Sequence, residues 1–465
     1  MSRIVIVGGG LSGLAAAFRI RQRIPGCEPV VLESSNRPGG NVWTERERGF
    51  TVELGPNGFL DSKPSTVDLC KALGLESRLV PASEGSRKNR FLFLDDRMHK
   101  LPGSLPGILR TPLLSLRAKL KLLTEPLRGR PRDLPPDESI AEFATRRFGR
   151  EVSETFIDAL VTGIHGGDPA LLSMAAAFPR LPVMERDAGS IVRGFMRAAK
   201  ARKRNAKAMG EPPPGPMRMW SFREGLQVLT DSLAQQLGGA VKCGFAVRSL
   251  AESASVSAWT VYGDHARAWS ADAVVLACPA YEQAAILQEL NPALADEVGA
   301  IPYNRIAVVA LGYRQADCPG RHDGFGYIAP QNTRRDVLGV QWCSSIFPDR
   351  APDRFVLWRA LCGGVHRAEQ VDWDDNRLAK AVHEEIKLSM GVTGAPVFRR
   401  IVRWPNAIPQ YVLGHLDRVA RIDALAAGHP GLFLTGNAYR GVAMSDCVDQ
   451  AGTIAARVAN FVNAE

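Results

Sequence analysis

The first apolar run of the chain ends on a glycine-rich turn. Residues 4–7 (Ile-Val-Ile-Val) lead directly into residues 8–13 (Gly-Gly-Gly-Leu-Ser-Gly), and an alanine-rich stretch that predicts a helix follows. A second apolar run, 29–32, ends on an acid, Glu33, twenty residues beyond Gly13. This order of strand, glycine turn, helix, strand and acid is typical of folds that bind a dinucleotide. The chain is therefore expected to begin with a nucleotide-binding βαβ unit.

Each part of this motif has a physical role. Gly8 permits the tight turn, Gly10 lets backbone N–H groups approach a pyrophosphate, and Gly13 allows the helix to pack closely on the strand. The helix N-terminus favours the phosphate charge. Glu33 is placed to accept ribose hydroxyls, which favours an adenosine ribose without a 2′-phosphate. A purely structural βα turn is the alternative, and the matching strand, helix and acid disfavour it.

A second glycine segment follows the acid. Gly39 and Gly40 come six and seven residues after Glu33, and residues 53–58 form another tight stretch that exposes backbone. Such glycines suit a backbone that passes close to a bound cofactor, although an ordinary turn would also use them. A simple NAD-binding domain does not need this addition. The pattern therefore favours FAD.

Composition limits the other classes of function. The 465 residues predict two to three domains, and the hydrophobic (45%) and charged (23%) fractions are those of a globular protein. The net charge of +10 suggests an anionic substrate, a membrane surface or nucleic acid. Nucleic acid is disfavoured because no aromatic residues interleave with the basic stretches and no reading motif accompanies them.

The cysteines and the N-terminus point to a reducing compartment. The eight cysteines are scattered without a CxxC pair, so we expect buried thiols in a cytosolic protein and no metal site. The nucleotide strand starts at residue 3 or 4, which leaves no room for a signal or transit peptide. No run of about 18 apolar residues appears, so no membrane-spanning helix is expected.

A leucine-rich basic segment follows the N-terminal region. Five leucines recur at spacings of three and four and predict one apolar helical face: Leu113, Leu116, Leu120, Leu123 and Leu127. Basic residues surround this face: Arg110, Arg117, Lys119, Lys121, Arg128, Arg130 and Arg132. Pro126 is expected to end or kink the helix. The pattern suits an anionic lipid interface, and a core-facing helix with a solvated basic side fits it equally well.

The later segments suggest a discontinuous fold. A second basic stretch, 193–207, ends in a proline-rich segment, 211–216, that reads as a surface linker. The segment from Trp220 is expected to open a helix. Near the C-terminus, residues 432–437 predict a strand and turn, and residues 441–446 open the last helix. A nucleotide-binding domain is therefore predicted to combine the beginning, middle and end of the chain.

With these segments identified, the chain resembles the oxygen-using FAD-dependent protoporphyrinogen oxidases, a family within the flavin amine oxidase superfamily. The resemblance covers nearly the whole length and rests on these segments: 163–169 (Gly-Ile-His-Gly-Gly-Asp-Pro), 172–174, 325–330, 338–339, 347–352, 404–405, 408–411, 436–437 and 441–442.

The resemblance implies an α/β protein with a discontinuous Rossmann-like FAD-binding domain, a mixed-sheet substrate domain and a helical membrane-associating domain. Its implied boundaries are 1–91, 206–290 and 406–465 for the FAD-binding domain, 92–205 for the helical basic domain and 291–405 for the substrate domain. Non-covalent FAD is the implied cofactor. The implied location is the cytoplasm, peripheral on the cytoplasmic face of an anionic membrane, and a homodimer is compatible with the family.

The resemblance also assigns residues. The implied cofactor-binding residues are Gly8, Gly10, Leu11, Ser12, Gly13, Glu33, Arg37, Gly39, Gly40, Val247, Trp404, Val442 and Met444. The implied substrate-binding residues are Arg90, which would hold a propionate, and Ile328, Leu338 and Leu361, which would sandwich a tetrapyrrole. Asn57 and Gly163 would lie at the reacting ring. His165 is considered for proton transfer but is not favoured.

The implied reaction is the six-electron oxidation of protoporphyrinogen IX to protoporphyrin IX in heme biosynthesis, with dioxygen as oxidant and three molecules of hydrogen peroxide released. Oxidation of coproporphyrinogen III by the same chemistry is the nearest alternative, and that substrate, with four propionates in place of two, requires more cations around the pocket. A different flavin amine oxidase and a non-catalytic flavoprotein are more remote alternatives.

Overall fold

The computed structural model describes residues 2–129, 135–208, 215, 217–253, 259–320 and 322–463. Most of the predicted linker at 211–216, together with Arg130 and Arg132, therefore falls outside the described residues. The chain divides into two compact units. Unit 1 contains residues 1–81, 219–302 and 416–465, and unit 2 contains residues 82–218 and 303–415.

Both units combine helices and strands. The strands of the described residues are, in chain order, β1 (Ile4–Val7), β2 (Val30–Glu33), β3 (Thr44–Glu47), β4 (Phe50–Glu53), β5 (Phe59–Leu60), β6 (Leu79–Pro81), β7 (Arg90–Leu94), β8 (Arg97–Lys100), β9 (Met219–Phe222), β10 (Val241–Cys243), β11 (Val247–Glu252), β12 (Trp259–Gly263), β13 (Ala268–Ala271), β14 (Ala273–Leu276), β15 (Ile306–Arg314), β16 (Gly326–Ile328), β17 (Gly339–Gln341), β18 (Phe355–Gly363), β19 (Phe398–Trp404) and β20 (Leu432–Leu434).

The helices of the same residues are α1 (Leu11–Arg23), α2 (Ser65–Ala72), α3 (Glu84–Lys88), α4 (Leu105–Arg110), α5 (Leu116–Leu123), α6 (Ile140–Phe148), α7 (Arg150–Val152), α8 (Asp158–His165), α9 (Met174–Ala177), α10 (Arg180–Ala188), α11 (Ile191–Ala208), α12 (Gln227–Leu237), α13 (Ala280–Leu287), α14 (Pro292–Gly299), α15 (Cys343–Ile346), α16 (Asp375–Met390), α17 (His415–Ala426) and α18 (Met444–Val462). A π-helical turn over Ser153–Ile157 joins α7 to α8.

Unit 1 is built around a five-stranded parallel sheet in the order β10-β2-β1-β14-β20. Its central strands read as continuous apolar runs because helices cover both faces of such a sheet. Helix α1 follows β1 and packs against α18, and their buried side chains belong to one core that includes Leu14, Ile20 and Val448. In parallel sheets of this kind, ligands bind at the carboxyl ends of the strands, where the strand order reverses. The loop between β1 and α1 lies at such a point.

Unit 2 contains a seven-stranded mixed sheet in the order β19-β15-β18-β17-β16-β7-β8. All neighbouring strands are antiparallel except β16 and β7. One face packs against α16 through a buried core that includes Leu311, Trp358, Val382 and Ile386. Because side chains alternate between faces along a strand, the intervening residues lie on the other face, which carries the predicted substrate residues Ile328 and Leu361.

The helical part of unit 2 has its own ionic core. Glu125 is fully buried and pairs with Arg147, and its carboxylate also accepts hydrogen bonds from the Ser190 hydroxyl (2.6 Å) and the Ile191 N–H (3.0 Å). These bonds cap the N-terminus of α11. Burial by itself would raise the pKa of Glu125, but the hydrogen bonds and the ion pair outweigh this effect and lower the pKa. The predicted helical region, 92–205, and most of the predicted substrate region share unit 2, and their separation into two domains remains a prediction.

Two local predictions differ from the structure. The segment at Trp220 is strand β9 rather than the start of a helix, which begins at Gln227. Pairing of β9 with β5 and β6 overrides the local pattern. The leucine-rich helix starts later than the leucine pattern predicts, at Leu116, whereas its end at Leu123, before a 3₁₀ turn that contains Pro126, agrees with the expected effect of the proline.

Candidate functional site

The glycine turn of unit 1 has the close geometry that the motif requires. Gly8 has a φ of 108°, and a Cβ there would lie 2.7 Å from the backbone nitrogen of Cys278. A Cβ on Gly13 would clash with the carbonyl oxygen of Gly8, so only glycine lets α1 start this close to β1. At Gly8 and Gly13, neighbouring backbone atoms therefore occupy the space that a side chain would need.

Gly10 differs from its neighbours because the space beside it is open. The nearest atom to a Cβ there would be the Cα of Gly40, 3.9 Å away. Gly10 is also the N-cap residue of α1, and no side chain caps the helix. Leu11 and Ser12 form the first turn, whose N–H groups have no partner within the helix. An open space beside an uncapped helix N-terminus fits the pyrophosphate of a dinucleotide.

The two glycine segments predicted separately lie side by side. Gly39 donates its N–H to the carbonyl of Gly9 (2.7 Å), and Gly10 and Gly39 form an isolated parallel bridge. Arg37 fixes the second segment, because its guanidinium donates to the carbonyl of Gly40 (2.7 Å). The predicted cofactor residues at both segments are thus brought together in unit 1. Arg37 has a side-chain role in shaping this loop.

Glu33 connects the end of β2 to the same turn. Its carboxylate is largely buried and accepts hydrogen bonds from the N–H of Gly9 (2.7 Å) and from the N–H (2.8 Å) and hydroxyl (2.7 Å) of Ser35. The N–H of Phe245 donates to the backbone carbonyl of Glu33 (2.9 Å), which brings the segment that enters β11 at Val247 alongside the acid. The segment that leads to Val247 therefore lies beside Glu33 in unit 1, although the two residues are distant in sequence.

The C-terminal turn approaches the same sheet edge. Strand β20 is parallel to β14, so the turn after it leaves from the same edge as the loop after β1. Helix α18 begins at Met444, directly after Val442 and Ala443, and Asp446 accepts the N–H of Ala443 (3.2 Å). The N-termini of α1 and α18 thus both lie at the carboxyl edge of the parallel sheet.

Asn57 is a buried amide whose polar atoms lack partners. The residue is only 5% exposed, and neither its Nδ2 nor its Oδ1 atom has a hydrogen-bond partner within the part of the chain that the structure describes. An unpaired buried amide is costly, and a bound ligand that supplies a donor and an acceptor would remove the cost. Asn57 therefore fits a ligand-binding role in unit 1.

In unit 2, Gly163 and Ile328 are in close contact. Gly163 lies in α8, and a Cβ there would come within 2.7 Å of the Cδ1 atom of Ile328. Leu338 belongs to a small buried cluster with two residues of β15, and Leu361 and Trp404 pack against this cluster. The structure thus brings the predicted tetrapyrrole residues onto one apolar face. Trp404 lies in unit 2, and its contact with the cofactor remains a prediction.

Arg90 is the first residue of β7, in the same unit. Its side chain is exposed, and its guanidinium lies 4.9 Å from the centre of the Phe325 ring. Stacking on an aromatic ring orients a guanidinium without using its hydrogen-bond donors. Arg90 therefore keeps its donors available for a carboxylate.

His165 lies at the end of α8 in apolar surroundings. The residue is 2% exposed, its ring meets the ring of Phe178 edge-on at 5.8 Å, and its Nδ1 atom has no hydrogen-bond partner among the described residues. Burial lowers the pKa of His165 to about 4, so the imidazole is neutral near pH 7. A neutral, enclosed imidazole is poorly suited to pass protons to solvent.

Two arginines that the sequence motifs did not single out lie on the face that carries the predicted substrate residues. Arg359 precedes Leu361 by two residues in β18, and Arg400 precedes Val402 by two residues in β19. The two-residue period of a strand was a usable signal for Arg359, because it places Arg359 on the same face as Leu361. The alignment of the two strands with each other was not readable from the sequence.

Metal ions and membrane spans are not indicated. No group of three or more metal-ligating side chains occurs among the residues that the structure describes. Within the same residues, every helix is too short or too polar to cross a lipid bilayer.

Comparison with known proteins agrees with this geometry. Residues 11–459 match the family model of flavin containing amine oxidoreductases. The chain is 31% identical to protoporphyrinogen oxidase 1, chloroplastic, of Arabidopsis thaliana, over 99% of this chain and 88% of that protein. It is also 31% identical to coproporphyrinogen III oxidase of Bacillus subtilis (strain 168), over 96% of each chain.

Among solved structures, the chain is similar to a protein of Exiguobacterium sp. 255-15 that is provisionally described as a protoporphyrinogen oxidase. The TM-score is 0.82, the sequence identity is 26%, and the match covers 99% of each chain. The mixed α/β architecture with several sheets is thus shared with a solved structure. By its full-length match to the family model and to these relatives, the chain belongs to the family of flavin containing amine oxidoreductases and is a flavin-dependent oxidase.

Proposed function

We propose that this protein oxidises a porphyrinogen, protoporphyrinogen IX or coproporphyrinogen III, to the corresponding porphyrin of heme biosynthesis, with non-covalently bound FAD and with dioxygen as the final electron acceptor. The observation that carries this proposal is the amphipathic face of the seven-stranded sheet in unit 2. This face carries apolar side chains beside arginines, which matches a tetrapyrrole with carboxylates on its rim. The names of the two relatives of about 31% identity support the same substrate class.

The residues of unit 1 fit FAD. The open space beside Gly10 and the uncapped N-terminus of α1 would accept the pyrophosphate, and Glu33 retains acceptor capacity for ribose hydroxyls. The turn from Gly436 to Met444 contains no cysteine, so it offers no thiol for covalent attachment. We therefore infer that the flavin is held by hydrogen bonds and packing alone.

The residues of unit 2 bind and orient the substrate. Ile328, Leu338 and Leu361 would cover the tetrapyrrole and exclude water, and Arg90 would hold a propionate through its charged guanidinium. Gly163 would allow close approach, because any larger side chain there would displace Ile328. These contacts fix which part of the macrocycle is presented for reaction.

FAD bound in unit 1 would supply two-electron, hydride-accepting chemistry for each of three oxidations, and dioxygen would take up the electrons as hydrogen peroxide. The substrate would lose three hydrides and three protons in all, of which two protons leave from pyrrole nitrogens and one from the remaining meso carbon as the macrocycle becomes aromatic. No side chain of the described residues is assigned as the base, since His165 is buried and its lowered pKa of about 4 makes it a weak base. The protein's contribution is therefore binding, orientation and exclusion of water.

The test is an aerobic assay of the purified holoenzyme with each porphyrinogen, which follows porphyrin fluorescence and hydrogen peroxide together. We expect three molecules of peroxide for each porphyrin formed. Arg90→Ala should raise the KM for porphyrinogen while the flavin content is retained. Absence of turnover with both substrates by a flavin-replete protein would contradict the proposal and would favour a non-catalytic flavoprotein.

An amine oxidase is the weaker candidate. The family model is named for amine oxidoreductases, but the face described above presents cations, which repel an ammonium substrate. Steady peroxide formation with simple primary amines, at rates above those with porphyrinogens, would favour this alternative.

We also propose peripheral association with an anionic membrane. In α5 and the turn after it, Leu116, Leu120 and Leu127 are 83%, 63% and 82% exposed. Arg117 is exposed beside them, and Lys119 and Lys121 are half-buried. Exposed leucines flanked by cations suit insertion at the surface of an anionic bilayer. Of the two alternatives that the sequence left open, this exposure favours the lipid interface over a core-facing helix. The cytoplasmic location and the homodimer remain predictions.

A further inference from the structure

The register of the seven-stranded sheet aligns three arginines that are far apart in sequence. Directly paired residues form one row across six strands, from β19 to β7: Arg400, Ala310, Arg359, Gln341, Gly326 and Arg90. Directly paired residues of neighbouring strands point to the same face of a sheet. The row therefore places three cations on one face, and none of its six members is acidic.

The adjacent row on the same face is apolar. This row is offset from the first by two residues in every strand. Its paired residues are Val402, Val308, Leu361, Gly339, Ile328 and Leu92. Ile328 and Leu361, which are the predicted tetrapyrrole contacts, thus stand in this row. A row of hydrophobic side chains next to a row with three guanidinium groups matches an apolar macrocycle with carboxylates along one rim.

Side-chain contacts agree with this register. Arg359 is 4% exposed, and its guanidinium donates to the Oε1 atom of Gln341 (3.1 Å), the next member of the row. The arginines of the opposite face are engaged elsewhere. Arg399 donates to Asn376 (2.9 Å), and Arg403 donates to Asp375 (2.7 Å).

The spacing of the row exceeds what one carboxylate can bridge. Arg359 is three strand positions from Arg90 and two from Arg400, which corresponds to roughly 14 Å and 10 Å between backbones at the usual strand separation. Each guanidinium can bind a separate carboxylate in a bidentate manner. A substrate that used the whole row would need carboxylates at several points of its rim.

We propose that Arg359 is a specificity-determining residue, which binds a substrate carboxylate other than the one held by Arg90 and selects the porphyrinogen with four propionates, coproporphyrinogen, over the one with two. This inference rests on the proposed oxidation of porphyrinogens. In the dipropionate substrate, two of the propionates are replaced by vinyl groups, which cannot accept a hydrogen bond from a guanidinium. With the dipropionate substrate, one guanidinium of the row therefore has no carboxylate partner, whereas the tetrapropionate substrate supplies one.

The experiment compares the wild-type holoenzyme with Arg359→Met and with Arg399→Met, a control on the opposite face of β19. Steady-state constants are measured with coproporphyrinogen III and protoporphyrinogen IX, and flavin content and Tm are recorded for each variant. The wild type should show a kcat/KM at least about tenfold higher for coproporphyrinogen III, since one charged hydrogen bond accounts for a factor of this size. Arg359→Met should lower that kcat/KM about tenfold or more through KM, with kcat and the protoporphyrinogen constants little changed. Arg399→Met should retain the wild-type preference.

A structural role for Arg359 predicts a different result, since loss of fold or of flavin reduces both activities together. An equal loss with both substrates, or no change with either, would overturn the assignment while leaving porphyrinogen oxidation intact. If Arg359→Met does not retain flavin, the test uses the wild-type protein alone. Its kcat/KM values for the two porphyrinogens are then compared, together with its Kd values for coproporphyrin III and protoporphyrin IX, which are measured by fluorescence. Tighter binding of the tetrapropionate that weakens with added salt supports the proposal, and equal or weaker binding overturns it. Failure of both substrates to react would instead refute the proposed function itself.

Discussion

Gly10 and Gly39 lie side by side as a parallel bridge, although they belong to separate loops on either side of β2. The N–H of Gly39 bonds to Gly9, and the second loop passes so close to the first that a Cβ on Gly40 would lie 3.1 Å from the Cα of Gly10. The bridge joins the loop that precedes α1 to the loop that follows the acid. The two glycine segments therefore form one surface, at which we propose that the cofactor binds.

This geometry predicts that Gly10→Ala abolishes flavin binding without unfolding the protein. The backbone at Gly10 is extended, with a φ of −73°, and the space for a methyl group is open, so the substitution costs the apoprotein little. The methyl group would occupy the space of the pyrophosphate. Flavin absorbance after gel filtration measures the loss, and circular dichroism checks the fold. Gly239→Ala, at an exposed glycine with equally open surroundings, should remain fully yellow.

Gly163→Ala should change substrate binding more than stability. Alanine favours a helix over glycine by about 1 kcal/mol, which offsets part of the crowding against the flexible end of Ile328. Because Ile328 must then move, we expect the KM for porphyrinogen to rise severalfold with the flavin content unchanged. Gly103→Ala, where the surroundings are open, is the matched control in the same unit. An unchanged KM would remove Gly163 from the substrate site.

Replacing Leu116, Leu120 and Leu127 together with glutamine should weaken binding to anionic vesicles at least about tenfold, because each buried leucine contributes about 1.5 kcal/mol or more. The Tm should hardly change, since the three side chains are exposed in the free protein. Sedimentation with phosphatidylserine vesicles at low and high salt provides the measurement. Leu388→Gln, at a 51% exposed leucine of α16, is the control. Equal partitioning of both variants would show that the leucine face does not dock.

Acidification should destabilise the protein partly through His165. Its pKa is lowered to about 4 in the folded protein, and an unfolded histidine titrates near 6.5, so between these values the unfolded state binds a proton that the folded state does not. Stability is therefore lost as the pH falls from about 6.5 to about 4, by up to about 3 kcal/mol. His165→Phe should show a smaller drop in Tm between about pH 7 and about pH 5. A drop identical to that of the wild type would contradict the neutral assignment.

Local sequence patterns were sufficient to predict the elements that are proposed to hold the nucleotide. The apolar run before Gly8, the helix that starts at Leu11 and the acid Glu33 follow from rules that act over a few residues. The predicted pyrophosphate turn therefore has its expected form. The same rules identified the leucine periodicity of the basic segment, but periodicity alone does not distinguish a face covered by protein from one exposed to solvent. Exposure of Leu116 became visible only in the structure.

Relationships across the sheet of unit 2 could not be obtained in this way. Arg90, Arg359 and Arg400 belong to strands that lie hundreds of residues apart in the chain or on opposite sides of β15, and a shift of one residue in any pairing would turn a side chain to the other face. Register depends on the packing of whole strands. Only the tertiary structure therefore shows where part of the net positive charge lies, because it brings Arg90, Arg359 and Arg400 onto one face of the sheet.

The order of strands in the parallel sheet also has a consequence for synthesis. Strand β1 pairs with β14, and β14 pairs with β20, so the sheet joins residues near 5, 275 and 433. Contacts between such distant segments form slowly, and an emerging N-terminal segment has unpaired strand edges in the meantime. We expect a nascent chain that ends before β20 to remain unable to retain flavin and to depend on chaperones until this last strand leaves the ribosome.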